Sequence, residues 1–305
     1  MRTIFALLFF AVFSSFLLLR TGSSARKESD QGKPLFSFGV VTDVQYCDCD
    51  PADSRFYRSS ISKLRAAMKG FRSAKTDFVI DLGDLIDRNF ESFRPLMQIF
   101  DSSGFRVYHV TGNHDYYIDP KLIRSIPTLK DHKTGYYSVE HKGFRFIFLN
   151  GNEVSTYSTH NKKIIDAANT MIGELKKSGE PNGLDHNGAL GADQMVWLDD
   201  ELSAAESSHQ KVLLFCHFPV WPVNDHNLLN YRSVLGILGK HHNVIAWFNG
   251  HNHSGNYGNL NLTHFVTLKA MCETDAVNSY SVIEVYYNKV WIKGEGREKS
   301  QIMAY

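Results

Sequence analysis

Five short clusters of Asp, Asn, Gln and His each follow an apolar run in this chain. Asp43-Val44-Gln45 follows residues 38–42, Gly83-Asp84-Leu85-Ile86-Asp87 follows 78–82, and Gly112-Asn113-His114-Asp115 follows 107–111. Further on, His217-Phe218-Pro219 follows 212–216, and Asn249-Gly250-His251-Asn252-His253 follows 244–248. These are oxygen and imidazole donors with no thiolate among them, a set that suits Mn²⁺, Mg²⁺ or Fe. The glycines at 83, 112 and 250 let backbone pass close to such ions. A lone His or Asp after a strand commonly caps a helix or sits in a solvated loop. Five clusters in order outweigh that reading and point to one centre holding two divalent ions.

The clusters can meet only if strands deliver them to one edge. β-branched and aromatic runs at 36–41, 78–82, 106–110, 136–140, 144–149, 212–216, 244–248, 264–268, 280–287 and 290–293 alternate with helical patterns near 61–71, 92–102, 193–206 and 231–239. That alternation is an α/β class with a partly antiparallel C-terminal end. Ligands of open α/β sheets gather beyond the carboxyl ends of the strands, where each cluster stands. No linker interrupts residues 34–298, so they read as one domain, with 26–33 a polar linker before it and 299–305 a C-terminal tail.

The 305 residues carry 33 Lys+Arg against 32 Asp+Glu, so charge gives no drive toward nucleic acid, which is excluded as a partner. With 43% apolar and 21% charged residues the composition is that of a folded globule. Residues 1–25 stand apart: they hold Arg2 and Arg20, no acid, and an apolar run at 4–19 interrupted only by Ser14 and Ser15. The run falls short of the ~20 residues that span a bilayer comfortably, and Ser23-Ser24-Ala25 supplies small residues for cleavage. An export signal cut after Ala25 is expected, placing the protein in a periplasm, a secretory lumen or outside the cell. If residues 4–19 are retained, they anchor it to a membrane. The cysteines at 47, 49, 216 and 272 are too few for a disulfide framework. Cys47 and Cys49 would point to opposite sides of an extended segment and are not expected to bridge, while Cys216 reads as a small buried hydrophobe. Asp81 reads as structural, His109 and His264 as hydrogen-bonded strand residues, and His241-His242 as a helix end. Asn261-Leu262-Thr263 is a glycosylation sequon.

The five clusters, in this order, resemble the motifs of the calcineurin-like metallophosphoesterases. The resemblance implies a sandwich of two mixed β-sheets flanked by helices (α/β/β/α). Carried over residue by residue, it implies Asp43, Gln45, Asp84 and His253 as ligands of one metal, and Asp84, Asn113, His217 and His251 as ligands of the other, with Asp84 bridging. It implies that His114 helps protonate the leaving oxygen and that Asp115 orients its ring, with Asp87 holding a ligand or the Asp84 loop. Gln45 stands where most of that superfamily has His, and its harder amide oxygen moves the expected preference toward Mn²⁺ or Mg²⁺.

Asp43-Val44-Gln45-Tyr46, Arg55-Phe56-Tyr57-Arg58, His186-Asn187-Gly188-Ala189-Leu190-Gly191 and Lys293-Gly294-Glu295-Gly296-Arg297 together resemble the manganese-dependent ADP-ribose/CDP-alcohol diphosphatases. That likeness spans residues 36–297. It implies a small-molecule substrate, a nucleotide diphosphate whose pyrophosphate bond is hydrolysed by a hydroxide bridging the two ions. Tyr46, Phe56, Tyr57 and Arg58 are the expected substrate contacts, since bases want aromatic faces and phosphates a guanidinium. A monomer is expected. The alternatives are a phosphodiesterase or phosphomonoesterase of the same superfamily, acting on cyclic nucleotides, phospholipid head groups or nucleotides, and a catalytically silent metal-binding scaffold. His114 and Asp115 argue against the scaffold.

Overall fold

The computed structural model of the chain describes residues 32–305, so the export signal expected at 1–25 and most of the linker lie outside the described residues. The strands in chain order are β1 (Phe36–Val41), β2 (Phe78–Asp81), β3 (Val107–His109), β4 (Tyr137–His141), β5 (Phe144–Phe148) and β6 (Lys211–Phe215). They continue as β7 (Val244–Asn249), β8 (Asn256–Leu260), β9 (Thr263–Thr267), β10 (Ser279–Val285), β11 (Lys289–Gly296) and β12 (Gln301–Ala304). Among the described residues five α-helices join them: α1 (Ser60–Ala74), α2 (Phe93–Ser103), α3 (Lys162–Lys177), α4 (Ala192–Ser207) and α5 (Tyr231–Leu238).

Two six-stranded sheets result, one in the order β12-β11-β10-β1-β2-β3 and one in the order β4-β5-β6-β7-β9-β8. Both are mixed. In the first, β1, β2 and β3 are parallel and β10 is antiparallel to β1. In the second, β5, β6, β7 and β9 are parallel, with β4 and β8 antiparallel at the two ends. Alternate residues of both sheets, among them Phe38, Val40, Phe146, Phe215, Phe248 and Ile283, fill the space between them with a largely aromatic core. On the outer face of the first sheet α1 and α2 bury Leu64, Phe71, Leu96 and Phe100, and on the second α4 and α5 bury Leu198, Leu202, Val234 and Leu238. The layers are therefore α/β/β/α, as the resemblance implies.

The spacing that builds α1 is plain. Ser60, Lys63, Leu64, Ala67, Met68 and Phe71 recur at three and four residues and are the buried ones, and Lys75 ends the helix in a left-handed conformation. Helix α3 carries little signal in the sequence, because only Ala168 and Ile172 along it are buried and its apolar stripe is thin. Two expectations are corrected. Residues 299–305 are not a tail: β12 pairs with β11, and Met303 is 1% exposed within the core between the sheets. Gln301, Ile302, Met303 and Ala304 alternate in burial as an edge strand does, a pattern too short to stand out in the sequence. Cys47 and Cys49 do bridge. The segment after Tyr46 is irregular rather than extended, which brings their Cα atoms to 5.2 Å. Among the described residues no helix is long and apolar enough to cross a membrane.

If β12 belongs to the core, Met303→Ala should cost roughly 2–5 kcal/mol in a urea unfolding series, the range for truncating a buried Met. A loss within about 0.5 kcal/mol, the usual size for a surface position, would restore the tail.

Candidate metal centre

The five clusters occupy the loops that leave the carboxyl ends of β1, β2, β3, β6 and β7, and these loops converge. Asp43, Gln45, Asp84, Asn113 and His217 are at most 1% exposed and His251 is 7% exposed. Their loops are bent sharply. Asp43, Gln45, Asp84 and His251 take left-handed backbone angles, with φ of 48°, 41°, 53° and 67°. A side chain with a Cβ adopts that region at a cost of about 1–2 kcal/mol, and such strain concentrates where a site demands one direction. Gly83 has φ +93°, and at Gly112 a Cβ would collide with the Asp84 carboxylate, so both positions need glycine.

What holds the Asp84 loop is Asp115. Its carboxylate accepts from the backbone N–H of Leu85 (2.9 Å), Gly112 (2.9 Å), Asp84 (3.2 Å) and Ile86 (3.3 Å). Burial, with Asp84 and Asp81 nearby, pushes this carboxyl up, against the pull of its amide donors. The expectation that Asp115 orients the His114 ring is therefore corrected. The ring is held by Asp87, whose carbonyl accepts from Nδ1 at 3.0 Å and whose Oδ1 lies 3.4 Å away. The Asp115 side chain turns to the amides because four donors converge there, which the motif spacing alone does not reveal. Asp81 is structural: it takes His109 Nδ1 at 3.0 Å and Gly83 N at 3.3 Å.

Around Asp84 the donors close in. His217 Nε2 is 3.2 Å from Asp84 Oδ2, Gln45 Nε2 is 3.2 Å from the same oxygen, and His114 N donates to Oδ1 at 2.8 Å. Asp84, His217 and His251 offer ligand atoms all within 4.8 Å of one another. On the other side His253 Nε2 lies 3.4 Å from Asp43 Oδ1 and 3.3 Å from Gln45 Nε2. Gln45 Oε1 meanwhile faces Cys272 Sγ at 3.3 Å, so a half-turn of the amide would present its oxygen to the Asp84 side.

Each histidine has its other ring nitrogen engaged. His217 Nδ1 donates to the Leu82 carbonyl (2.8 Å) and His253 Nδ1 lies 2.7 Å from Glu273 Oε1. His251 Nε2 meets Asn187 Oδ1 at 2.9 Å, and that amide cannot turn over without loss. Its Nδ2 already donates to the carbonyls of Asn182 (2.9 Å) and Asp225 (2.7 Å). Three acceptors thus hold the protons on the far nitrogens and leave His217 Nε2, His251 Nδ1 and His253 Nε2 as lone pairs.

The donor set fits cations. Asp43 Oδ1, Asn113 Oδ1 and His217 Nε2 are buried with no hydrogen-bond partner, a costly arrangement unless an ion meets them. The charge is felt by the ring beside it: burial opposes a proton on His217, yet Asp84 draws its affinity up to about 9. Bound there, divalent ions would be held by Asp43, Gln45, Asp84, Asn113, His217, His251 and His253. A cavity of about 1390 Å³ lies elsewhere, among α2, β3 and residues 127–132, and none of the seven metal-facing side chains lines it. Donor chemistry, not volume, marks the centre.

The family to which these loops belong is then decided by comparison. The sequence profile of the calcineurin-like phosphoesterases matches residues 36–255. The chain belongs to the calcineurin-like phosphoesterase family. It is accordingly a dinuclear metal-dependent hydrolase of phosphoric esters. Among relatives within the family, an Arabidopsis thaliana protein named manganese-dependent ADP-ribose/CDP-alcohol diphosphatase is 31% identical over 312 residues, covering 92% of this chain and 98% of its own. The Homo sapiens protein of the same name is 27% identical, covering 91% and 95%. A crystal structure described as a dimetal phosphatase from Danio rerio superposes with a TM-score of 0.82 at 25% identity, over 90% of this chain and 100% of its own.

The expected substrate contacts fare differently from the ligands. Arg58 points away, held by Asp48 Oδ1 (2.6 Å) and Asp50 Oδ1 (2.7 Å) in an exposed pair. Tyr57 is 3% exposed, with Arg88 6.0 Å from its ring, and Tyr46 packs partly buried beside α1 and α2. Phe56 is half-buried, its N–H on the Cys272 carbonyl. Two further residues stand at the rim. Arg55 Nη1 lies 3.8 Å from Asp87 Oδ1, and the Tyr117 ring packs at a tilt against His114, centroids 4.7 Å apart, while its hydroxyl receives Asn113 Nδ2 at 3.4 Å. Arg55 was legible as the first residue of Arg55-Phe56-Tyr57-Arg58, but which arginine turns inward depends on the acids at 48 and 50 capturing the second one.

Saturating Mn²⁺ should raise the melting temperature, since an ion at about 100 times its Kd adds about 2.7 kcal/mol. Asp84→Asn should lose most of that rise in differential scanning fluorimetry. A variant that keeps the full rise would place the ions elsewhere.

Proposed function

We propose that the protein hydrolyses the phosphoanhydride of ADP-ribose- or CDP-alcohol-type nucleotide diphosphates with Mn²⁺ as its working ion. The observation that carries this reading is the end-to-end likeness to diphosphatases of that name, over 92% of this chain and 98% of the relative, with Gln45 standing in the metal-facing loop. Two bound cations would neutralise phosphoryl oxygens and lower the pKa of water to supply the nucleophile.

The chain's own groups do the rest. His114 keeps Nδ1 on the Asp87 carbonyl, which leaves Nε2 to deliver a proton to the departing phosphate oxygen. Burial opposes a proton on this ring, while Asp84 and Asp87 raise its proton affinity. Arg55, partly exposed and bound to Asp87 by a long contact, is free to meet the second phosphate as a guanidinium. Tyr117 offers a phenol and an aromatic face beside His114, where a ribose or base would lie. Residues 1–25 direct this enzyme out of the compartment where it is made.

The test is a substrate panel with Mn²⁺: ADP-ribose, CDP-choline, a cyclic nucleotide and a phosphomonoester. The two diphosphates should have the highest kcat/KM, and preference for the other two would overturn the substrate class while leaving the family intact. Arg55→Ala should raise KM for the diphosphates about tenfold, a loss of about 1.4 kcal/mol, and leave the phosphomonoester within about twofold. Equal losses on both would remove Arg55 from the second phosphate. For the leader, N-terminal sequencing of exported protein should begin at Arg26, and an intact Met1 in the membrane fraction would make residues 4–19 an anchor.

A further inference from the structure

The loop after β9, residues 268–274, is not one of the five clusters, yet it is sewn to them. Met271 N donates to Thr42 O (3.1 Å), Cys272 N to Asp43 O (2.9 Å), and Phe56 N to Cys272 O (2.8 Å). From behind, Lys63 on α1 drives its ammonium into the loop's carbonyls: Met271 O at 2.5 Å, Thr274 O at 2.8 Å and Glu273 O at 3.3 Å. Lys63 is 4% exposed, and burying an ammonium costs several kcal/mol unless its donors are satisfied. Arg297 adds a bond from Nη1 to the Ala270 carbonyl at 3.0 Å, and Asn278 ties the Lys63 carbonyl at 2.8 Å. The stretch this clamp grips belongs to no helix or strand. What it fixes is Glu273, whose Oε1 stands 2.7 Å from His253 Nδ1.

We infer that Glu273 is a positioning residue for His253, that Lys63 holds the loop presenting it, and that the ion facing His253 is thereby the tighter of the two. The inference rests on the dinuclear reading of the centre. The three histidines differ in what backs them: a carbonyl for His217, an amide oxygen for His251, a carboxylate for His253. Only the carboxylate adds a full negative charge behind the ring, and an imidazole so backed is the stronger donor at its other nitrogen. The other group near His253 Nδ1 is Cys272 Sγ at 3.8 Å, a weak partner that cannot replace it. Without Glu273 the ring is free to rotate or to change tautomer, and its lone pair leaves Asp43 and Gln45.

Isothermal titration of the purified protein with Mn²⁺ tests this, with low-temperature electron paramagnetic resonance to follow pairing of the ions. Wild type should bind two ions in two affinity classes. In Glu273→Ala the tighter class should weaken 10- to 100-fold, the usual effect of losing such a backing group, with the weaker class within about threefold. Glu273→Gln, which keeps an acceptor oxygen, should lose less than Glu273→Ala, and Lys63→Met should shift the same class. The melting temperature before Mn²⁺ is added separates positioning from folding: in Glu273→Gln it should match wild type. Two wild-type affinities in Glu273→Ala, or a fall in both classes together with the melting temperature in every variant, would overturn the proposal. Wild type that takes up fewer than two ions would overturn the dinuclear reading beneath it.

Discussion

The structure turns on two buried carboxylates, Asp43 and Asp84, at most 1% exposed and paired with no lysine or arginine among the described residues. Anions removed from water in this way are destabilising by several kcal/mol each unless charge of the opposite sign meets them. The histidines at 3.2 Å and 3.4 Å turn lone pairs toward the same space, and the orphaned Asp43 Oδ1 and Asn113 Oδ1 mark where cationic charge is wanted. The surrounding loops follow from the same demand. Four residues accept left-handed backbone angles to aim inward, and the Asp115 carboxylate collects four amides to keep the Asp84 turn from relaxing.

The two sheets divide the chemistry between them. The oxygen and amide groups, Asp43, Gln45, Asp84 and Asn113, come from β1, β2 and β3 of one sheet, while the imidazoles His217, His251 and His253 come from β6 and β7 of the other. The centre is therefore an inter-sheet contact, and the aromatic core beneath it, Phe38 against Phe146 and Phe215, sets how closely carboxylate and imidazole approach. A change of one methylene in that core is felt at the ions, because packed interiors transmit small volume changes rather than absorb them.

Much of this was legible in the chain. An apolar run that stops at Asp or His is a strand that ends at a site, and all five such endings lie where that rule puts them. What stayed hidden was decided by partners distant in sequence. Asp87, not Asp115, holds the His114 ring because the Asp115 side chain is consumed by three amides of the Asp84 loop and one of its own. Arg58 and Arg55 look alike in sequence, and only the folded position of Asp48 and Asp50 separates them. The Cys47–Cys49 bridge depends on a local bend that no periodicity encodes, and Glu273 reaches His253 across 20 residues through a loop with no motif.

The central claim is that Asp84 joins two ions where both sheets end. Anomalous diffraction at the manganese edge from crystals grown with Mn²⁺ tests it most directly. The account predicts two peaks about 3.5–4 Å apart, the spacing of two-metal phosphoryl-transfer sites, with Asp84 between them. A single peak, or two peaks that do not share Asp84, would contradict it.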